Sequence, residues 1–600
     1  MQPASTFGRD SVQCLLANPK GLRSHYASAV TDEIIGQDVS VCGWIGSVRE
    51  HGEHLTFIDL RDSTGVVQCV ISDRIELHPE WVIRVVGRVS KRPGGTENPT
   101  LASGQVEISD ASLEVLSKAN AVPFSVSDQK DLPDESVRLR YRFVDLRRAR
   151  LQRNIRTRAQ INKAIRRSLE SFGFLEIETP MLWTPTPEGA REFSVPSRLQ
   201  PGNFYVLPQS PQIAKQLLMV SGFDRYYQIA RCMRDEDLRS DRQFEFTQLD
   251  LEASFVTQED VREFITQAVS DATQAATGQS NLAFPSITHS EAIARYGSDK
   301  PDIRFGHEIF ELSDLFAGSG IRALDQPSVG AFIAPAKGEF SRSKLDQLVD
   351  RAKALGAAGL LWFRIKQGTD GSLEVDSPIA KFLKNEHVAE IVTRLGAKTG
   401  DVVLAVSGEF KATRSVLGTL RTELARANLN LEGLQYLWVI DFPMFEGLDD
   451  AGNPIAAHHP FTMPNEDDFE LMVSDPLAVR AQSYDLVLNG WELGSGSIRI
   501  HDPKIQSDVF KALGISDEVA NQRFGFLLDA FGFGAPPHGG FAFGIDRLAA
   551  LLCGEDTIRE VIAFPKTQSG LDLMTGAPKQ IARDTLQSYG LAISESPKKA

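Results

Sequence analysis

The chain has 600 residues, a formal net charge of −15, 42% hydrophobic and 24% charged residues. Its length predicts about three or four domains with ample core, and the acidic total excludes a protein that coats nucleic acid indiscriminately. No apolar run approaches a membrane span, and five scattered cysteines with no CxxC or HExxH pattern predict neither a disulfide framework nor a zinc site, so a reduced, cytoplasmic setting is the simplest expectation.

Residues 1–23 are weakly patterned and lack the apolar stretch of a secretory signal; they read as a flexible extension. Residues 24–118 read as all-β, with strands at Val39–Val48, Leu55–Arg61, Val66–Ser72, Val82–Val89 and Gln105–Val115. Five short strands fit a small barrel of the oligonucleotide-binding (OB) kind. With eight basic against fourteen acidic residues, such a barrel would read RNA by stacking and base edges rather than by a basic surface. Phe57, taken alone, is more often a core residue than a stacking platform. Residues 119–150 form a hinge broken by Pro123 and Pro133. From Arg138 to Arg167 eleven arginines and one lysine stand against the single acid Asp145. They are equally readable as helix faces pairing with acids elsewhere and as an RNA contact.

From Leu151 the pattern turns helical through Leu169, with Ile155, Ala159, Ile161, Ile165 and Leu169 near one stripe. Gly173 ends it, and FLEIETPML follows as a strand running into Pro180. The stretch Tyr226–Phe255 divides into an apolar run, a charged segment Arg234–Arg242 and an alternating run from Gln243. Period two puts Phe244, Phe246, Gln248 and Asp250 on one face and Glu245, Thr247, Leu249 and Leu251 on the other. Two antiparallel strands joined by a long charged loop are unlike a structural hairpin, which uses a short turn. Phe246 and Asp250 stand about 13 Å apart at ~3.3 Å per residue. That length suits a nucleotide-linked amino acid, with a ring stacked at one end, an ammonium held at the other, and Arg234 at the phosphate between them.

Residues 301–428 change to mixed α/β with Gly/Ser-rich joints and no run that suggests chemistry. The alternation of Ser497, Arg499 and His501 against Ile498 and Ile500 predicts a strand that projects Arg499 on its polar face. PPHGGFAFGIDRLAALLCG reads as a strand and then an amphipathic helix from Ile545. The tail ends in SESPKKA.

The arginine, the acid two positions on and the returning phenylalanine strand resemble motif 2 of class II aminoacyl-tRNA synthetases. FDRYYQIARCMRDEDLRSDRQFEFTQLD is similar to the bacterial-type aspartyl-tRNA synthetases in particular. Helix, strand and Pro180 resemble motif 1, the homodimer element, and GIDRLAALL resembles motif 3; the likeness runs from about residue 24 to residue 580. It implies an α+β multidomain chain with an OB-fold anticodon-binding domain at 24–118 and a class II antiparallel-sheet catalytic domain at 151–300 and 429–565. A GAD-type insertion at 301–428 interrupts that domain, and an extension follows at 566–600. The implied activity is ATP-dependent formation of aspartyl-adenylate, with Mg²⁺, and transfer to the 3′ end of tRNA.

By this resemblance Arg234, Glu236 and Arg547 carry the chemistry. Glu188, Ser210, Gln212, Ile213, Ala214 and Lys215 hold L-aspartate together with Arg234, Asp250, His458 and Arg499. Asp235, Gln243, Phe246 and Glu492 join Arg234 and Glu236 on ATP, as does the segment Gly544, Ile545, Asp546 and Arg547. Asp485 and Glu492, seven residues apart, suit Mg²⁺ held partly through phosphates. Arg49, Phe57 and Gln68 take the positions that read the anticodon. His51 (or His54, since the hairpin is one residue longer than usual) and Gly95 stand where strictly aspartate-specific enzymes have leucine and lysine; this implies relaxed choice between tRNA(Asp) and tRNA(Asn), with an amidotransferase acting downstream. A strictly tRNA(Asp)-specific enzyme, an asparaginyl enzyme and a silent RNA-binding relative are the alternatives. Two positions depart from the family: Phe244 replaces the common proline, and Ser495 replaces a glycine.

Overall fold

The structure, a computed structural model, describes residues 21–52, 54–126, 132–186, 190–335, 340–368, 373–450 and 452–593. Alternating apolar residues close the first five strands into a barrel. β1 (Asp38–His51), β2 (Leu55–Arg61), β3 (Val66–Ile71), β4 (Val82–Lys91) and β5 (Val106–Ser117) follow the order β1-β2-β3-β5-β4. Val41, Ile45, Ile58, Leu60, Val67 and Val85 point inward and form its core. Phe57 takes the opposite parity on β2, lies outside that core and pairs in register with Arg49 of β1.

The second unit is an eight-stranded sheet. Its strands are β6 (Leu175–Glu176), β7 (Arg225–Met233), β8 (Glu245–Ser254), β9 (Ser286–Thr288), β10 (Tyr436–Ile440), β11 (Ser483–Leu488), β12 (Trp491–Arg499) and β13 (His538–Gly544). They run in the order β9-β10-β11-β12-β13-β8-β7-β6, antiparallel except at the two edges. One face is covered by α1 (Ala149–Ser171) and, past α2 (Gln212–Val220) on the other side, by α3 (Gln258–Thr277). Ile161, Ile165 and Leu169 of α1 pack with Phe264, Ile265 and Val269 of α3 on Leu249, Leu251 and Phe541 of the sheet. A capping box of Thr257 and Asp260 opens α3 and left-handed Gly278 closes it.

Two sequence expectations are corrected here. The buried stripe of α1 includes Asn154 and Thr157, whereas Ala159 is exposed and Ile155 only half-buried. Asn154 earns that place by donating to the Glu555 carboxylate and the Glu560 carbonyl. FLEIETPML gives only the two-residue β6, because the Gln228 side chain takes both the amide and the hydroxyl of Thr179 (3.2 and 2.9 Å), and Pro180 has no amide to offer a ladder.

The insertion is a five-stranded antiparallel sheet of Phe310–Glu311, Ser328–Ile333, Val402–Gly408, Leu361–Gln367 and Leu373–Asp376, in that order. Helix Arg342–Ala354 and α4 (Phe410–Asn428) cover one face, and helix Asn385–Leu395 covers the other. Arg421 of α4 braces the start of the insertion and touches the unit before it. Its guanidinium donates to the carbonyls of Asp302, Phe305 and Gly306 and lies 4.2 Å from the Phe305 ring centroid and 4.9 Å from that of Tyr296.

Much of the basic stretch Arg138–Arg167 is paired within the molecule, as the reading of helix faces pairing with acids elsewhere expects. Seven of its arginines (138, 142, 147, 148, 150, 158 and 166) pair with carboxylates. Asp145, fully buried, takes Arg138, Arg142 and Arg148 at 3.0, 2.8 and 3.0 Å, and Arg138 also reaches Glu560. Arg147 grips Glu80 of the barrel beside Arg61. Removing the single acid at the centre strands buried cations. Asp145→Ala should therefore cost roughly 3–5 kcal/mol of stability, read as an equivalent drop in urea unfolding free energy; a loss below about 1 kcal/mol would show the cluster to be solvated.

Candidate active site

The long loop between β7 and β8 is closed at its base by the Arg234 amide, which donates to the Phe244 carbonyl at 2.8 Å. Past that point the period-two pattern of β8 separates two roles. Leu249 and Leu251 enter the core under the helices, while Phe246, Gln248 and Asp250 line a cavity of about 710 Å³ on the opposite face. Arg234 lies with its guanidinium carbon 5.1 Å from the Phe246 ring centroid, at the cavity wall. Glu236 also lines it and accepts from Arg242 at 3.2 Å. Arg547, from α5 (Ile545–Cys553), donates to the Glu492 carbonyl and to Asp241 (3.4 Å), which orients it across the cavity.

The floor is a buried set of four charges. Lys215 Nζ stands 2.8 Å from Asp250 and 3.1 Å from Glu252, and Arg499 Nε donates to Glu252 at 3.0 Å. All four side chains are at most 7% exposed. Burial pushes the Asp250 carboxyl up despite Lys215 beside it. At Glu252 burial acts the same way, but Arg499 and Lys215 together hold the carboxyl below its usual range. Sequence reasoning missed Glu252, although it continues the 246, 248, 250 alternation by one step. Ser497 completes the floor by accepting from Arg499 at 2.7 Å, and Gln212 accepts from it at 3.4 Å.

Not every residue implied by the resemblance faces this cavity. On α2 the spacing i, i+3 brings Gln212 and Lys215 in, with Ser210 just before them. Ile213 instead packs on Phe461 and Phe524, and Ala214 does not line the cavity. Asp235 is turned away from the cavity lining, its amide bonded to the Arg191 carbonyl. Gly544 and Asp546 line the wall, the Asp546 carboxylate being taken by Arg158 and by the Thr247 amide (2.7 Å), but Ile545 is core. Gln243 borders the cavity with its amide engaged by the Lys566 backbone, accepting at 2.8 Å and donating at 3.2 Å. Glu188 lies outside the described residues.

Both His458 and His459 border the cavity. Burial lowers both; His459, partly buried with its Nε2 enclosed, is pushed down to about 3 by burial and then by the neighbouring charges of Arg499 and Lys215. It is thus a neutral ring at the floor, a residue that sequence reasoning passed over for His458. Ser495 is exposed to the cavity, so its hydroxymethyl meets no packed neighbour. Arg426 reaches the same wall from α4 of the insertion, a placement with no signal in the sequence.

Asp485 and Glu492 sit on adjacent strands, β11 and β12, and both line a cleft that joins the cavity. Asp485 Oδ1 is buried without a hydrogen-bond partner among the described residues. Burial raises this carboxyl well above the usual range, with Glu492 and Asp299 adding to the effect. Lys300 offsets part of that negative field, 3.6 Å from Glu492 and 3.9 Å from Asp299, and the rest fits a cation, although no cluster of three or more His, Cys, Asp or Glu ligands forms among the described residues.

In the barrel, Arg49, His51, Phe57, Gln68 and Gly95 border one concavity of about 1320 Å³. Arg49 donates to Asp59 at 3.0 Å and to Gln68 at 3.3 Å, while Gln68 donates to Glu107 at 2.8 Å. The His51 and Phe57 rings meet edge-on at 6.3 Å. His54 does not border it. Gly95 has φ +87°, where a larger side chain would be strained, yet the space beside it is open.

A family model for class II tRNA synthetases (D, K and N) matches residues 134–568, and one for the OB-fold nucleic acid binding domain matches 39–116. The aspartate–tRNA(Asp/Asn) ligase of Caldanaerobacter subterraneus is 45% identical over 588 residues, covering 95% of this chain and 98% of its own. The Moorella thermoacetica protein of the same name is 47% identical, covering 95% and 96%. Among solved structures, Pyrococcus horikoshii asparaginyl-tRNA synthetase with asparaginyl-adenylate shares the fold at TM-score 0.56 and 17% identity, covering 90% of this chain and 98% of that one. The Entamoeba histolytica asparaginyl-tRNA synthetase complex does so at 0.54 and 18%, covering 89% and 95%.

The neutral His459 makes stability fall on acidification. The unfolded chain takes up a proton below about pH 6.5, while the folded ring resists it until about pH 3. Between pH 6.5 and 5 this amounts to about 2 kcal/mol. His459→Gln should lose that much less than the parent in urea unfolding between pH 7 and pH 5; equal losses would mean that the ring protonates in place.

Proposed function

Because the chain belongs to the class II tRNA synthetases (D, K and N), we propose that it is an aspartate–tRNA ligase. It joins L-aspartate to the α-phosphate of ATP, releases pyrophosphate, and passes the aspartyl group to the 3′ end of tRNA(Asp) and of tRNA(Asn). The observation that carries this reading is the buried Lys215–Asp250–Glu252–Arg499 floor beneath Arg234 and Phe246. Two cations there meet a side-chain carboxylate, whereas an amide would turn its own donors toward them. Asp250 and Gln212 are placed to receive the substrate ammonium.

The substrate carboxylate is itself the nucleophile, so catalysis is a matter of position and charge. Arg234, stacked on Phe246, brings positive charge to the α-phosphate while the same ring supports the adenine. Arg547 holds the leaving phosphates, its direction set by Asp241 and the Glu492 carbonyl. Glu236 steadies the loop through Arg242. Mg²⁺ on Asp485 and Glu492 would supply further positive charge to the phosphates.

In the barrel, Phe57 offers a ring for an anticodon base, and Arg49 and Gln68 offer donors beside it. Glycine at 95 and imidazole at 51 leave the third anticodon base without a long side chain pressing on it, and the relatives named for both tRNAs support the relaxed reading. The protein works in the cytoplasm as a homodimer built on α1 and β6, and an amidotransferase converts the aspartyl-tRNA(Asn).

Arg499→Leu should lower aspartate-dependent ATP–pyrophosphate exchange by roughly two to four orders of magnitude, the scale of about 3–5 kcal/mol for a lost buried charge partner. Normal activation by this variant means the floor is not the side-chain pocket. In charging assays with purified tRNAs, kcat/KM for tRNA(Asp) and tRNA(Asn) should agree within about a hundredfold, or ~2.7 kcal/mol; a larger preference for tRNA(Asp) would refute the relaxed reading.

A further inference from the structure

Phe244, next to the cavity residue Gln243, does not itself line the cavity. Its ring lies over the turn at residues 567–571, which is closed by the Gly570 amide on the Thr567 carbonyl (3.0 Å) and the Thr567 amide on the Leu571 carbonyl (2.9 Å). Gly570 has φ +77°, and a Cβ there would stand 2.4 and 2.8 Å from Cε2 and Cζ of Phe244. The ring therefore occupies the space that the glycine leaves. On another side it meets Phe193 edge-on, with centroids 5.5 Å apart.

The neighbours of Phe244 are held by the same segment. Gln243 makes its two-way bond with the Lys566 backbone, and Lys566 Nζ reaches Glu245 at 3.0 Å. Phe244 also carries the contact that matters at the site, because its carbonyl accepts the Arg234 amide at 2.8 Å. We propose that the turn around Gly570, outside the cavity, positions Arg234 for the ATP phosphates by seating the Phe244 ring. Displacing the ring shifts the carbonyl on which the Arg234 backbone hangs, and with it the guanidinium stacked on Phe246. Phe244 and Gly570 are positioning residues, and their role rests on the reading of Arg234 given above.

The test is a double-mutant cycle on the full chain in aspartate-dependent ATP–pyrophosphate exchange, with Phe244→Ala, Gly570→Ala and the double variant. Gly570→Ala should raise KM for ATP about tenfold and leave KM for aspartate within about twofold. In the Phe244→Ala background, which has no ring to displace, the same glycine change should raise KM for ATP by no more than about twofold, the part due to backbone strain at φ +77°. An effect of Gly570→Ala that persists undiminished in that background, or no effect in either, overturns the proposal. Should Gly570→Ala fail to fold, Phe244→Ala alone decides: a raised KM for ATP supports the seat, and a parental value overturns it. Arg234→Ala serves as the reference, since parental exchange in that variant would overturn the site reading itself rather than the seat alone.

Discussion

The site depends on four charges buried on one another: Lys215, Asp250, Glu252 and Arg499, of which none is more than 7% exposed. Taking an ion out of water costs several kcal/mol, and only close, hydrogen-bonded counter-charges offset it. Here each cation has a carboxylate within 3.1 Å. The arrangement is also preorganised: a charged ligand meets cations already in place and need not assemble them from solvent. It reinforces the burial that keeps the His459 imidazole neutral, since a third cation beside Lys215 and Arg499 would be repelled.

The floor is rigid because the strand that carries it is also core. On β8 one parity supplies Leu249 and Leu251 to the packing beneath α1 and α3, and the other supplies Phe246 and Asp250 to the cavity and Glu252 to the charges beneath it. Thr247, on the core-side parity, binds Asp546 at the start of α5, and Asp546 in turn holds Arg158 of α1. The helix that presents Arg547 is thus tied both to the strand below it and to the helix behind it.

Charge counted along the chain and charge arranged in space tell different stories. The densest basic stretch is consumed by Asp145, Glu555, Glu560 and Asp546. The acidic barrel, by contrast, turns Phe57 outward beside Arg49 and Gln68 on an open concavity. A cation's availability to a phosphate follows from what it already pairs with.

Local periodicity was enough to read the barrel strands, the long helix α1 and the hairpin with Phe246 and Asp250 on one face, because alternation and helical spacing are written within a few residues. Resemblance added the fold class and a set of cavity residues. It carried whole segments, however, so Ile213, Ala214, Asp235 and Ile545 came along although they do not line the cavity. Only the tertiary structure joined Arg499 to Glu252 across 247 positions, Arg138 to Glu560 across 422 and Gln243 to Lys566 across 323. The physical reason is that a buried charge or amide takes its role from whichever partner the fold brings within about 3 Å, and sequence spacing carries no record of that meeting.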